Sequence, residues 1–310
     1  MSAFALVLGH KNPDSDSIVS AIACTYLYQQ RGLDVEAAAQ GQPAPETQFI
    51  LDRFGLTAPQ EIYSVAGRDV YLVDYSDLNQ APDDFKEANL KGIVDHHKLG
   101  DVTSTAPVEC IIWTVGCTNT ILKRMYDYMG VAIPANIAGA MLCAILSDTV
   151  LFKSPTCTPT DIEAAKELAA IAGIDDIEAL GMELFTAKSA VKGCSARSLI
   201  FRDYKDFNMN GHKVGVGQLE LVSLDLLADR REELLAELAA VKGEEGRHSA
   251  LLLLTDIMKE GSELLMVSDD PALIASAWDK AYVEGTPLWL DGVMSRKKQV
   301  VPNLEAAFRK

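Results

Sequence analysis

His10, Asp14, Asp16, Asp74, Asp95, His96, His97 and Asp148 are the residues of this sequence whose types and spacing could do chemistry. The chain has only five histidines, and three of them are in this set. Each cluster falls where an apolar run or a helical pattern ends. Converging ends would gather imidazoles and carboxylates around one or two divalent cations. Mixed imidazole and carboxylate ligands suit Mn²⁺, Co²⁺, Zn²⁺ or Fe²⁺ better than an all-oxygen calcium cage. Far downstream, Ser295-Arg296-Lys297-Lys298-Gln299 concentrates basic charge as an anion clamp would. Divalent cations together with such a clamp point to hydrolysis of a phosphorus–oxygen bond.

Taken singly, these signals have plainer readings. Asp14-Ser15-Asp16 also serves as a turn that caps the following helix, and an aspartate at a strand end is a common turn residue. Asp148 is the exception, because a carboxylate beyond the apolar face of a helix meets an end that is already negative. A nearby cation removes that conflict. Pro13 fixes its own φ and lacks an N–H, which lets the 10–16 segment curl with its acids turned inward.

The elements that must position these residues follow from hydrophobic periodicity. Residues 3–8 read as a buried strand ending at His10, followed by a helix over 17–31. Further strands are expected at 35–39, 70–73 and 92–94, the last two ending at Asp74 and Asp95. Helices are expected at 45–54, 118–129, 134–146, 160–172 and 175–187. This alternation implies a larger N-terminal α/β domain, residues 1–188, with a mainly parallel sheet and helices on both faces. In such sheets the active crevice lies beyond the carboxyl ends of the strands. Residues 189–195 read as a linker with Lys192-Gly193 as its hinge. Residues 196–310 read as a smaller mixed α/β domain. There Asn210-Gly211 closes one hairpin, Lys259-Glu260-Gly261-Ser262 closes a second, and a long amphipathic helix covers 224–241.

At 310 residues the chain can bury two cores, and its 48% hydrophobic content is ordinary for a globular protein. A net charge of −16 argues against a general nucleic-acid binder. It does not exclude an anionic substrate, since divalent cations invert the local field. No apolar run reaches membrane-spanning length and no signal segment opens the sequence, so a cytoplasmic protein is expected. The six cysteines form no C-x-x-C pair and read as thiols in a reducing compartment.

At these residues the chain resembles the family II inorganic pyrophosphatases of the DHH phosphoesterase superfamily. The resemblance runs from Gly9-His10-Lys11-Asn12-Pro13-Asp14-Ser15-Asp16 through Val73-Asp74, Val94-Asp95-His96-His97, Gly116-Cys117-Thr118-Asn119-Thr120, Leu146-Ser147-Asp148-Thr149 and Asp203-Tyr204-Lys205-Asp206-Phe207 to Ser295-Arg296-Lys297-Lys298-Gln299. The Asp-His-His tripeptide marks the superfamily, and the Ser-Arg-Lys-Lys-Gln run marks the pyrophosphatase branch. No regulatory insertion separates Asp74 from Asp95.

The resemblance implies two domains, the second DHHA2-like, with the active site in the cleft between them and Mn²⁺ or Co²⁺ as a resident pair. One ion would take His10, Asp14 and Asp74. The other would take Asp16, Asp74, His96 and Asp148, with Asp74 bridging. His97 would face pyrophosphate, which Mg²⁺ accompanies, and would serve as proton donor. Asp95 would orient a histidine. Lys205, Arg296 and Lys297 would hold the phosphates, and a hydroxide shared by the ions would attack phosphorus. A homodimer through the N-terminal domain is also implied. The rivals are an exopolyphosphatase or an oligonucleotide phosphodiesterase of the same superfamily, and a catalytically silent metal or phosphate sensor. The phosphodiesterases carry a Gly-rich, His-containing motif, of which only His212, Gly215 and Gly217 offer a trace here.

Overall fold

The structure, a computed structural model, describes residues 4–309. The chain divides into two compact units, Met1–Ala187 and Lys188–Lys310.

In the first unit the order is β1 (Ala5–Lys11), α1 (Ser15–Gln30), β2 (Val35–Gln40), α2 (Pro45–Phe54), β3 (Gln60–Glu61), β4 (Asp69–Val73), β5 (Asn89–Asp95), β6 (Glu109–Ile112), α3 (Thr118–Met129), α4 (Ala135–Asp148), α5 (Pro159–Ala172) and α6 (Ile177–Lys188). The six strands form one parallel sheet in the order β3-β2-β1-β4-β5-β6. Successive side chains of a strand point to opposite faces, and the core divides accordingly. Val7, Val73 and Val94 join the cluster built by α1, α3, α4 and α5. Leu6, Leu8, Val70, Leu72 and Ile93 point the other way. That second face is closed by Val65, Ala81 and Phe85, from a segment holding two single-turn 3-10 helices, Leu78–Gln80 and Phe85–Glu87. Both faces are therefore covered, one by long helices and one by short turns.

The second unit holds α7 (Ala196–Ile200), β7 (Tyr204–Met209), β8 (His212–Leu221), α8 (Arg231–Glu244), β9 (Ser249–Asp256), β10 (Gly261–Ser268), α9 (Pro271–Ser276), β11 (Leu288–Asp291) and α10 (Val301–Ala307). Its sheet runs β11-β10-β9-β8-β7. Only β8 and β9 are parallel, and the crossover between them carries α8. Alternation again fills two faces: Ala250, Leu252 and Leu254 pack with Leu234 and Leu238, whereas Leu251 and Leu253 pack with Ile274 and Leu304.

Three expectations change. Helices are expected on both faces of the first sheet, but its second face is covered by a segment whose helices are single 3-10 turns. The single long helix over 224–241 is two elements, a 3-10 segment Leu224–Arg230 followed by α8. Leu224 and Leu227 are the buried residues of the first, and their spacing of three suits the tighter turn. Residues 189–195 are bound into the second unit: Val222 N donates to Ser189 Oγ, Arg202 donates to the carbonyls of Lys188 and Ala190, and Arg230 donates to those of Val191 and Cys194.

Candidate metal centre

The chain leaves β1 toward β2 and β3 on one side and continues from β4 to β5 and β6 on the other. The sheet order therefore reverses between β1 and β4. Parallel sheets open a crevice at such a switch point, beyond the carboxyl ends of the strands. His10 stands near the end of β1 and Asp74 follows β4 directly. Asp74 has φ +69°, in the left-handed region, which aspartate adopts more readily than most residues.

Two groups of ligand atoms meet at Asp74. His10 Nε2 lies 3.4 Å from Asp74 Oδ2 and 3.5 Å from Asp14 Oδ2. His96 Nε2 lies 3.5 Å from Asp74 Oδ1, 3.7 Å from Asp148 Oδ2 and 3.9 Å from Asp16 Oδ2. The two oxygens of Asp74 thus face different histidines. Each ring is aimed by its other nitrogen, which lies against a backbone carbonyl: His10 Nδ1 against Lys11 O at 2.8 Å, and His96 Nδ1 against Val115 O at 3.1 Å. Asp14 also caps α1, accepting from Ser17 N at 2.9 Å.

Asp16 is fully buried and is gripped by the start of α3. Its Oδ1 accepts from Ser20 Oγ, Cys117 Sγ, Asn119 N and Asn119 Nδ2, and its Oδ2 accepts from Thr118 N at 2.7 Å. The first N–H groups of a helix lack internal partners, and Cys117 at the cap position supplies none. Asp16, about a hundred residues away in sequence, takes that role. The same α3 segment is anchored behind by Asp161, which accepts from Gly116 N and Thr120 Oγ1 while completing a capping box with Thr158 on α5. Cys117, Thr118, Asn119 and Asp161 were assigned no role from sequence. In the sequence the 116–120 run is marked only as part of the resemblance, and Asp161 only as a residue of the helix expected at 160–172.

The electrostatics of the cluster favour a cation. Burial opposes the charge on His10, but Asp14 and Asp74 outweigh it and hold its pKa well above the ordinary value. Burial, then the Asp16 charge, push Asp74 well above the carboxylate range. Asp148 is pushed the same way by burial and by Asp16, Asp14 and Asp74. Asp16 resists burial through His96 and its donors on α3, and its pKa falls below the ordinary value. Asp74 Oδ2 is buried with no hydrogen-bond partner, which is costly for an acceptor unless something else meets it. Oxygen and imidazole donors with one orphaned oxygen fit divalent transition ions. Cys117 also lies within ligand distance of Asp16 and Asp148. Burial and those two acids push its thiol pKa well up, so it serves as a hydrogen-bond donor.

Asp95 accepts from the His97 backbone N–H at 2.9 Å and lies 3.0 Å from His97 Nδ1, so it orients His97 rather than His96. Burial resists the charge on Asp95, but His97 and then His96 hold its pKa below the ordinary value. The His97 side chain is 31% exposed against 8% for His96, which makes it the histidine that solvent can reach. Beyond Asp148 the backbone turns left-handed for three residues, Val150, Leu151 and Phe152. None is glycine, and left-handed backbone costs about 1–2 kcal/mol per residue. Packing holds the turn: Leu151 fills the space that a Cβ on Gly181 of α6 would need.

In the second unit, Lys205 on β7 makes no ion pair among the described residues. Arg296 opens a five-residue π-helical turn, Arg296–Val300, a feature often found at functional sites. Its Nη1 donates to the carbonyls of Asp203 and Val216, and its Nη2 to Asp203 Oδ1. That leaves Nε–H and one Nη2 hydrogen. Lys297 follows it and is exposed. The turn is held from inside by Gln299, which accepts from Met294 N and Ser295 N, and by Gln218, which accepts from Arg296 N. The trace of a Gly-rich motif has a packing explanation, since a Cβ on Gly215 would lie 1.7 Å from Tyr204 Oη.

Residues 5–145 match the DHH family N-terminal domain and residues 182–307 match the DHHA2 domain. A protein of Archaeoglobus fulgidus named a probable manganese-dependent inorganic pyrophosphatase is 48% identical over 99% of both chains. A manganese-dependent inorganic pyrophosphatase of Methanocaldococcus jannaschii is 44% identical over 97% of this chain and 98% of that one. Among solved structures, a Methanococcus jannaschii protein described under family II inorganic pyrophosphatase superposes with a TM-score of 0.86 at 43% identity, covering 98% of this chain and 99% of that one.

Proposed function

The chain belongs to the manganese-dependent, family II inorganic pyrophosphatases and hydrolyses pyrophosphate, and on that premise we propose how its residues divide the work. His10, Asp14 and Asp74 hold one cation, and Asp16, Asp74, His96 and Asp148 hold another. The observation that carries this reading is the division of Asp74, whose Oδ2 faces His10 while its Oδ1 faces His96, with His97 Nδ1 3.6 Å away. The resident ions are Mn²⁺ or Co²⁺, and Mg²⁺ accompanies the substrate. Such a pair, when bound, supplies Lewis acidity and lowers the pKa of a coordinated water.

The remaining work falls to side chains. Asp95 fixes the ring of His97, which delivers a proton to the departing phosphate oxygen. Arg296 grips phosphate through Nε–H and its remaining Nη2 hydrogen, while Asp203 keeps the guanidinium from swinging. Lys205 and Lys297 add point charges. The domain roles follow: residues 1–188 hold metal and 196–310 hold substrate. A homodimer forms through the first unit. Strand β6 has only β5 beside it, and Trp113 and Tyr128 are exposed around a cavity of ≈ 390 Å³ bordering it. A cytoplasmic location accords with six unpaired cysteines. Among the described residues no helix is long and apolar enough to cross a membrane.

The test is turnover by stripped protein reconstituted with Mn²⁺, Co²⁺, Zn²⁺ or Mg²⁺, read as phosphate released from pyrophosphate and tripolyphosphate and as mononucleotide released from a dinucleotide. Pyrophosphate in Mn²⁺ or Co²⁺ should give the fastest turnover. Negligible turnover on pyrophosphate beside either rival substrate would sink the assignment.

A further inference from the structure

One residue donates to two carboxylates of the His96-side group. Thr118 N donates to Asp16 Oδ2 at 2.7 Å, and Thr118 Oγ1 donates to Asp74 Oδ1 at 2.9 Å. Those two oxygens are the ones that face His96 Nε2. The opposite oxygens have other fates. Asp16 Oδ1 is saturated by four donors, and Asp74 Oδ2 is left toward His10. Thr118 itself cannot drift. It is wholly buried in the first turn of α3, whose start is tied to α5 through Asp161.

We propose that Thr118 is the positioning residue of the second cation site: its N–H and hydroxyl set the separation of Asp16 Oδ2 and Asp74 Oδ1, and so the affinity of the His96-side ion relative to the His10-side ion. The inference rests on the two-cation reading above. Its physical basis is that a carboxylate with one oxygen pinned by a donor keeps a single orientation. Asp74 without that donor can rotate about its side chain and offer both oxygens to the His10 side. Groups that orient metal ligands in this way typically change metal affinity 10–100-fold when removed.

The experiment is calorimetric titration of Mn²⁺ into chelator-stripped protein, with thermal unfolding in chelator recorded alongside. Wild type should take two Mn²⁺ ions. Thr118→Val deletes the hydroxyl while keeping the branched shape. It should weaken one site about 10–100-fold and leave the other within about threefold. Thr118→Ser keeps the hydroxyl and should restore the weakened site. If the valine variant does not fold, Thr118→Ala removes the same hydroxyl with less bulk and is held to the same outcome. Wild-type affinities at both sites in a folded hydroxyl-free variant would overturn the inference, as would a serine variant as weak as the valine one. A wild-type protein that takes fewer than two ions would instead overturn the two-cation reading, and this inference with it.

Discussion

Replacing Asp74 by asparagine should abolish the protein's stabilisation by metal. At neutral pH without metal, Asp74 is a liability. Its folded-state pKa is raised by burial and by Asp16, so the unfolded chain releases its proton more easily. Stability therefore falls as pH rises from the unfolded value through the folded one. Asparagine keeps the shape and removes the charge, so Asp74→Asn in chelator should unfold at the same temperature as wild type or higher. With Mn²⁺ the order reverses. An ion present at a thousand times its Kd stabilises by about 4.1 kcal/mol per site, hence about 8 kcal/mol for two. For a unit of this size about 1 kcal/mol moves Tm by 2–4 °C, so wild type should gain about 16–32 °C. Asp74 faces both histidines, so its asparagine variant should keep almost none of that gain. Asp14 faces His10 alone, and asparagine still caps a helix, so Asp14→Asn should keep about half. Scanning calorimetry with and without Mn²⁺ measures all three. Equal Mn²⁺ gains in the two variants, or more than half the gain surviving in Asp74→Asn, would refute the bridging argument.

Mn²⁺ binding should release protons, because His10, Asp74 and Asp148 all have raised pKa values that a cation must lower. Calorimetry in buffers of different ionisation enthalpy reads the number released, and affinity should fall as pH falls; uptake of protons would contradict the sign. Asp161→Ala should destabilise the chelated protein by about 3–5 kcal/mol, from a lost cap and two stranded donors, with Tm the readout and a change under about 1 kcal/mol the contrary result. Arg296→Lys should raise KM for pyrophosphate about tenfold or more while Mn²⁺ content stays at the wild-type level, because lysine cannot reproduce the fork held by Asp203. Metal loss in that variant would break the separation of roles.

Where caps and breakers mark the chain, the elements were legible. Pro45–Phe54 and Thr118–Met129 begin and end where the sequence places them, with Gly55 and Gly130 closing each helix in the left-handed conformation. The residues gathered around Asp74 were legible because the ends of strands and helices are. β6 was not, because it is a four-residue edge strand whose Glu109 and Cys110 are exposed, so no burial pattern marks it. The short helices α7 and α10 were likewise too brief to carry a period. The grip of α3 on Asp16 was hidden for a different reason. Its partners lie about a hundred residues apart, and Thr118 and Asn119 read locally as ordinary helix-start residues.

The reversed-hand turn after Asp148 has an evolutionary edge to it. Val150, Leu151 and Phe152 together hold roughly 3–6 kcal/mol of conformational strain that glycine would relieve. A population of variants randomised at these positions and screened only for heat resistance should drift toward glycine. The same population screened for turnover should keep a bulky side chain at 151, where Leu151 is lodged against Gly181 three residues beyond Asp148.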